Sequence, residues 1–191
     1  PAPRDQWVIV TKCGEQFEHG RSTFDFSAAA TRASVERSLR RLGTDYLDVV
    51  LIHSDGRDEA ILREEGALDE LIRLRESGLI RAVGISTKTP EGGRLAVQRC
   101  DVVMITLNPR ATADAPVAAA AERAGVGVLV KKALLSGHLA ASELGADPVQ
   151  ACMNHALKAP GVHSAIIGTL NVAHLRQAVT AAERALAASS D

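Results

Sequence analysis

The sequence predicts an α/β fold with a parallel sheet: a (β/α)8 TIM barrel represented by six βα units, a partial barrel. Three observations carry this. Short apolar runs and amphipathic helical segments alternate strictly along the 191 residues, in units of about 30 residues, which calls for parallel strands joined by right-handed crossovers. No glycine-rich dinucleotide fingerprint of the open doubly wound kind is present. Each apolar run also closes on polar residues, at the strand ends where barrels keep their chemistry. A whole barrel has eight units in typically about 250 residues. The expectation is therefore one domain over 1–191, N-terminally incomplete by two units.

Taken in order, Val8-Ile9-Val10-Thr11-Lys12-Cys13-Gly14 reads as a strand buried on both faces that delivers Lys12 to its C-terminal end and breaks at glycine. A helix follows over 26–42, with Ala28, Thr31, Val35, Leu39 and Leu42 on one face, Ser27 as N-cap and Gly43 as the left-handed stop. A strand over 48–52 ends at His53, and a helix over 62–76 stops at Gly78. The third strand, 82–86, ends in Ser86 and leads to a weaker helix over 90–99. The fourth, 102–107, ends at Asn108-Pro109. Its helix starts near Asp114 with Pro116 in the first turn and stops at Gly125. The fifth strand, 127–130, runs into Lys131-Lys132, a loop with Ser136-Gly137-His138, and a helix from Asp147-Pro148 to about Lys158. The sixth, 164–167, ends at Gly168-Thr169, and a last helix from Asn171 is expected to bury Leu175, Ala178, Val179, Ala182 and Leu186.

Twenty-two basic against 23 acidic side chains give a net charge of −1, so nothing electrostatic points to nucleic acid or an anionic membrane. No apolar run approaches the roughly 18–20 residues that span a bilayer. Cys13, Cys100 and Cys152 are far apart, odd in number and without metal-type spacing, which suits a reduced, cytoplasmic protein. His19, His138, His155 and His163 show no ligand spacing either, so no metal site is expected. Cys13 follows Lys12 and should face the other way, as packing.

The strand ends Lys12, His53, Ser86, Asn108, Lys131-Lys132 and Gly168-Thr169 make a candidate ring of functional groups. Any one alone is better read as a solvated strand end. Together, a lysine and a histidine ending adjacent strands form a potential charge-and-proton pair.

Four stretches carry a resemblance. They are Thr11-Lys12; Ser38-Leu39-Arg40-Arg41-Leu42-Gly43-Thr44-Asp45-Tyr46-Leu47-Asp48 with Leu51-Ile52-His53; Gly78-Leu79-Ile80-Arg81-Ala82-Val83-Gly84-Ile85-Ser86; and Ile167-Gly168-Thr169-Leu170-Asn171-Val172-Ala173-His174-Leu175. From about Trp7 to Leu186 the chain resembles the aldo-keto reductases, NADPH-dependent carbonyl reductases built on a (β/α)8 barrel. The resemblance implies reduction of a small aldehyde or ketone to an alcohol by hydride transfer, with NADPH, or NADH as the alternative, as cofactor.

The family works with an aspartate, a tyrosine, a lysine and a histidine. Lys12 matches the lysine and His53 the histidine. The resemblance places the aspartate and the proton-donating tyrosine after the second barrel strand, upstream of this chain. Tyr46, the one tyrosine present, matches a structural position.

For the cofactor, Ser86 matches a serine at the nicotinamide carboxamide. Leu134, Ser136 and Gly137 match the loop that covers the pyrophosphate. Gly168, Thr169 and Asn171 lead into a helix N-terminus suited to an anion, and His174 matches a position at the adenosine ribose phosphate. Lys131 stands where an aromatic residue normally stacks on the nicotinamide, and it or Lys132 is a candidate for neutralising phosphate. Thr87 and Met104 replace an asparagine and a glutamine of the family pattern. Two alternatives stand beside the reductase: a non-catalytic binding or regulatory protein on the same fold, and a Schiff-base lyase using Lys12, Lys131 or Lys132.

Overall fold

The predicted apolar runs become parallel strands in a computed structural model that describes residues 3–138 and 144–187. The chain divides into two compact units, residues 1–103 and 104–191.

In the first unit β1 (Val10–Cys13) pairs in parallel with β4 (Leu47–His53), which pairs in parallel with β5 (Ile80–Ser86). Between β1 and β4 lie an antiparallel hairpin, β2 (Glu15–Glu18) and β3 (Arg21–Phe24), and helix α1 (Ala28–Leu42). After β4 come α2 (Asp58–Arg63) and α3 (Ala67–Glu76), and after β5 comes α4 (Pro90–Arg99). β4 is the most enclosed strand: Leu47, Val50, Leu51 and Ile52 are each 0% exposed, as expected of a parallel strand covered on both faces. Ser27 caps α1 by accepting from the Ala30 N–H, and Gly43 closes it in the left-handed conformation, both as the sequence indicates.

Three expectations are corrected in this unit. The first strand begins at Val10, and Val8 is 75% exposed. β4 is the strand partner of β1 among the described residues, so β1 is only partly covered rather than buried on both faces. The helix expected over 62–76 is two helices, α2 and α3, because Gly66 adopts φ 84° between them, a conformation that ends one helix and admits the next. The hairpin was not expected at all. Its turn, His19-Gly20, has positive φ at both positions (51° and 77°), the type I′ geometry that suits a two-residue loop. Its strands are almost wholly exposed, so no apolar alternation announces them.

The second unit contains most of β6 (Val102–Thr106), then α5 (Ala115–Ala124), β7 (Gly127–Lys131), a 3-10 turn at Leu135–Gly137, α6 (Pro148–Leu157), β8 (Ser164–Ala165) and α7 (Val172–Ala187). β7 and β8 are parallel, with Val130 opposite Ala165. Val149, Met153 and Ala181 form a core with Leu134, Ala165 and Ile167 packed on it. β8 is two residues long instead of the expected four, because β7 ends at Lys131 and Lys132 turns to φ 57°, leaving little ladder to pair with. The last helix keeps part of the expected face inward, with Ala178 buried and Ala182 packed on the core, but not its large side chains. Ala178, Ala181 and Ala185 are buried, whereas Leu175, Val179 and Leu186 are 45%, 49% and 55% exposed. The small side chains lie at one-face spacing, and at this face the Gln150 side chain of α6 donates to the Ala181 carbonyl at 2.9 Å.

Among the described residues no helix is long and apolar enough to cross a membrane, and no group of three or more His, Cys, Asp or Glu could hold a metal ion.

Candidate active site

In the first unit the strand register decides which side chains share a face. Lys12 of β1 lies opposite Leu51 of β4, and His53 lies opposite Ser86 of β5. Side chains alternate along a strand, so His53 shares the face of Leu51, and Lys12, His53 and Ser86 emerge on one side of the ladder. A strand spacing of about 4.8 Å and a two-residue offset put the Cβ atoms of Lys12 and His53 roughly 8 Å apart. Lys12 is exposed and His53 half-buried, whereas Ser86 is 1% exposed. Cys13 falls on the opposite face, 1% exposed, and burial pushes its thiol up to about 12. That fits packing and not a nucleophile.

The hairpin adds a residue that sequence reading missed. Gly14 takes φ 92° at the end of β1, and a Cβ there would meet the Phe26 ring at 2.6 Å. The chain turns at this point so that Glu15 reaches His53: Oε2 lies 2.5 Å from Nδ1. The other carboxylate oxygen accepts from the Ser22 hydroxyl at 2.5 Å. The Ser22 hydroxyl is the main reason the Glu15 carboxyl sits below the usual range; burial opposes it, and the charge and hydrogen bond of His53 and the charge of Lys88 add to it. The one signal in the sequence was His19-Gly20 between two short polar runs, whose turn geometry brings Ser22 diagonally across from Glu15. A cavity of about 240 Å³ between the hairpin and α1 is lined by Glu15, Thr23, Ser34 and Arg37, but by neither Lys12 nor His53.

Tyr46 immediately precedes β4, whereas His53 ends it, so seven residues of strand, roughly 20 Å, separate them. Its ring is held between two guanidinium groups, Arg4 at 4.0 Å and Arg81 at 4.1 Å. It cannot serve the chemistry at the other end of the strand.

In the second unit, two cavities of about 200 and 230 Å³ adjoin, sharing Leu134, Gly137, Ile167 and Gly168. Thr169 and His174 also line one, with Val149 and Gln177, and Lys132 and Ser136 the other, with Ala133 and Ile166. Of the cofactor candidates in this unit, Leu134, Ser136, Gly137, Gly168, Thr169 and His174 are thus brought together, while Lys131 and Asn171 line neither cavity. The loop wall is strained: Lys132, Leu135 and Ser136 all have positive φ, from 53° to 57°, which non-glycine residues rarely adopt and which tends to gather at ligand sites. Asn108, 4% exposed, braces this loop by donating to the Lys132 carbonyl at 3.0 Å. Asn171 caps α7 by accepting from the Ala173 N–H at 2.8 Å, as a plain helix cap would. The helix dipole at this first turn favours an anion beside Thr169 and His174.

The sequence model of the Aldo/keto reductase family matches residues 1–144. Pyridoxine 4-dehydrogenase of Escherichia coli is 30% identical over 193 residues, which cover 93% of this chain and 67% of that protein. D-threo-aldose 1-dehydrogenase of a Pseudomonas species is 29% identical over 167 residues, 74% of this chain and 50% of that protein. Among solved structures, a Pseudomonas aeruginosa protein assigned to the aldo-keto reductases is 48% identical with a TM-score of 0.88, over 96% of this chain and 69% of that one. The holo form of an aldo-keto reductase from Bacillus halodurans is 25% identical with a TM-score of 0.78, over 94% and 68%. The chain spans half the length or less of the first curated relatives it matches. The fold class expected from the strand–helix alternation, that of the aldo-keto reductase TIM barrels, is borne out by these structures.

Proposed function

The chain belongs to the Aldo/keto reductase family, and we propose on that footing that it carries out NADPH-dependent reduction of an aldehyde or ketone to an alcohol, with NADH as the alternative cofactor. The observation that carries this reading is the shared face of Lys12 and His53 at the strand ends. A cation and an imidazole placed there are two of the groups that carbonyl reduction needs. When bound, the nicotinamide cofactor supplies the hydride.

The chain's own residues divide the remaining work. His53 hydrogen-bonds the carbonyl oxygen and orients it. Lys12 places positive charge where it lowers the pKa of a neighbouring phenol. Tyr46 is not that phenol, so the proton donor is proposed to be a tyrosine outside residues 1–191, together with an aspartate that pairs with Lys12. Leu134, Ser136, Gly137, Gly168, Thr169 and His174 would hold the cofactor. Their cavities, the strained loop and the first turn of α7 offer backbone amides and an imidazole suited to phosphate groups. Asn171 is proposed to add a contact from its capping position, Lys131 to neutralise phosphate charge, and Ser86 to serve the nicotinamide amide.

Substitution tests the assignment. In the full-length protein, Lys12→Met and His53→Gln are each expected to lower kcat for aldehyde reduction by about 10²–10⁴-fold, the usual range for positioned acid–base groups, with cofactor affinity little changed. Wild-type turnover by Lys12→Met would overturn it.

A further inference from the structure

We propose that Glu15 is the positioning residue for His53, fixing the protonation and orientation of its imidazole through Nδ1 so that Nε2 addresses the carbonyl oxygen. This rests on the reductase reading above. A carboxylate accepts hydrogen bonds and does not donate, so at 2.5 Å from Oε2 Nδ1 carries the proton. The neutral tautomer with Nδ1–H and the imidazolium both satisfy Glu15. A carbonyl oxygen is itself only an acceptor, so with Nδ1–H already given to Glu15 the form that also donates from Nε2 is the imidazolium, with Glu15 as its counter-charge.

The carboxylate is held to this task from both sides. Ser22 occupies Oε1 at 2.5 Å, leaving Oε2 for His53. The support is rigid as well. Glu15 pairs with Phe24 and Phe17 with Ser22 across the hairpin, and Gly14 fixes the direction in which that hairpin leaves β1. The Glu15 side chain is 21% exposed and that of His53 35%, so the pair is partly withdrawn from water and its geometry is better defined than that of a surface pair.

Glu15→Gln makes a sharp test, because the change is isosteric. With Ser22 still donating to the side-chain oxygen, the new NH₂ faces Nδ1 and forces it to accept. Long-range ¹H–¹⁵N spectra of the full-length protein are expected to show Nδ1 of His53 protonated in the wild type and unprotonated in Glu15→Gln. With NADPH and an aldehyde, kcat is expected to fall by about 10–100-fold, the affinity for NADPH to stay within about twofold, and Glu15→Gln added to His53→Gln to cost nothing more. Ser22→Ala keeps the carboxylate and is expected to lose less.

An unchanged His53 ¹⁵N pattern in Glu15→Gln would overturn the proposal. An equal loss of kcat in the His53→Gln background would do so too, since it would mark a structural role. If the wild type turns over no carbonyl compound, the reductase reading fails, while the ¹⁵N spectra still decide the Glu15–His53 linkage.

Discussion

Asp48 stands at the start of β4 with its side chain 10% exposed. It accepts from the Ile9 N–H at 2.9 Å, from Arg4 at 2.7 Å and from Arg81 at 3.1 Å. Burial alone would raise its pKa, but the Ile9 amide and the two guanidinium groups together hold it below the usual aspartate range. A carboxyl lowered by folding stabilises the native state above its unfolded pKa of about 3.9, and the stabilisation fades as pH falls through the lower native value. Asp48→Asn is therefore expected to cost about 2 kcal/mol in urea unfolding at pH 7, with the gap to wild type closing in strong acid. A gap that stays constant from pH 7 to pH 2 would contradict this. Lys12 and His53 were legible as site candidates because each ends an apolar run. Glu15 was not, because its role depends on a hairpin that carries no apolar pattern.

Among elements, β5 is intolerant of added bulk at Gly84. A Cβ on Gly84 would lie 2.0 Å from the Val102 carbonyl oxygen and 2.8 Å from the Leu51 side chain. The first of these is backbone and cannot step aside without disturbing its own strand. Gly84→Ala is expected to destabilise by about 3 kcal/mol or to prevent folding, and a denaturation midpoint equal to wild type would contradict that. Elements with one unambiguous period were readable in advance: α1 with its Ser27 and Gly43 ends, and the buried strand β4. Those that depend on a neighbour were not. Whether Gly66 interrupts a helix is decided by its φ, which the helical period on either side does not reveal. α7 is apolar on more than one face, and close packing of alanines buried its small side chains in place of Leu175, Val179 and Leu186.

For the whole molecule, family and fold were legible because motifs in a fixed order span almost the entire sequence. The cofactor assignment rests on loops, where backbone conformation matters more than side-chain type: the loop at Lys132, Leu135 and Ser136 is built from left-handed residues that no residue pattern announces. The central claim is that these residues bind a reduced nicotinamide dinucleotide for carbonyl reduction. The most direct measurement is titration of the full-length protein with NADPH, and separately with NADH, followed by nicotinamide fluorescence. Saturable binding is predicted, weakened about tenfold in His174→Ala as a charge-assisted phosphate contact is lost. Absence of binding by both nucleotides to the folded protein would contradict the account.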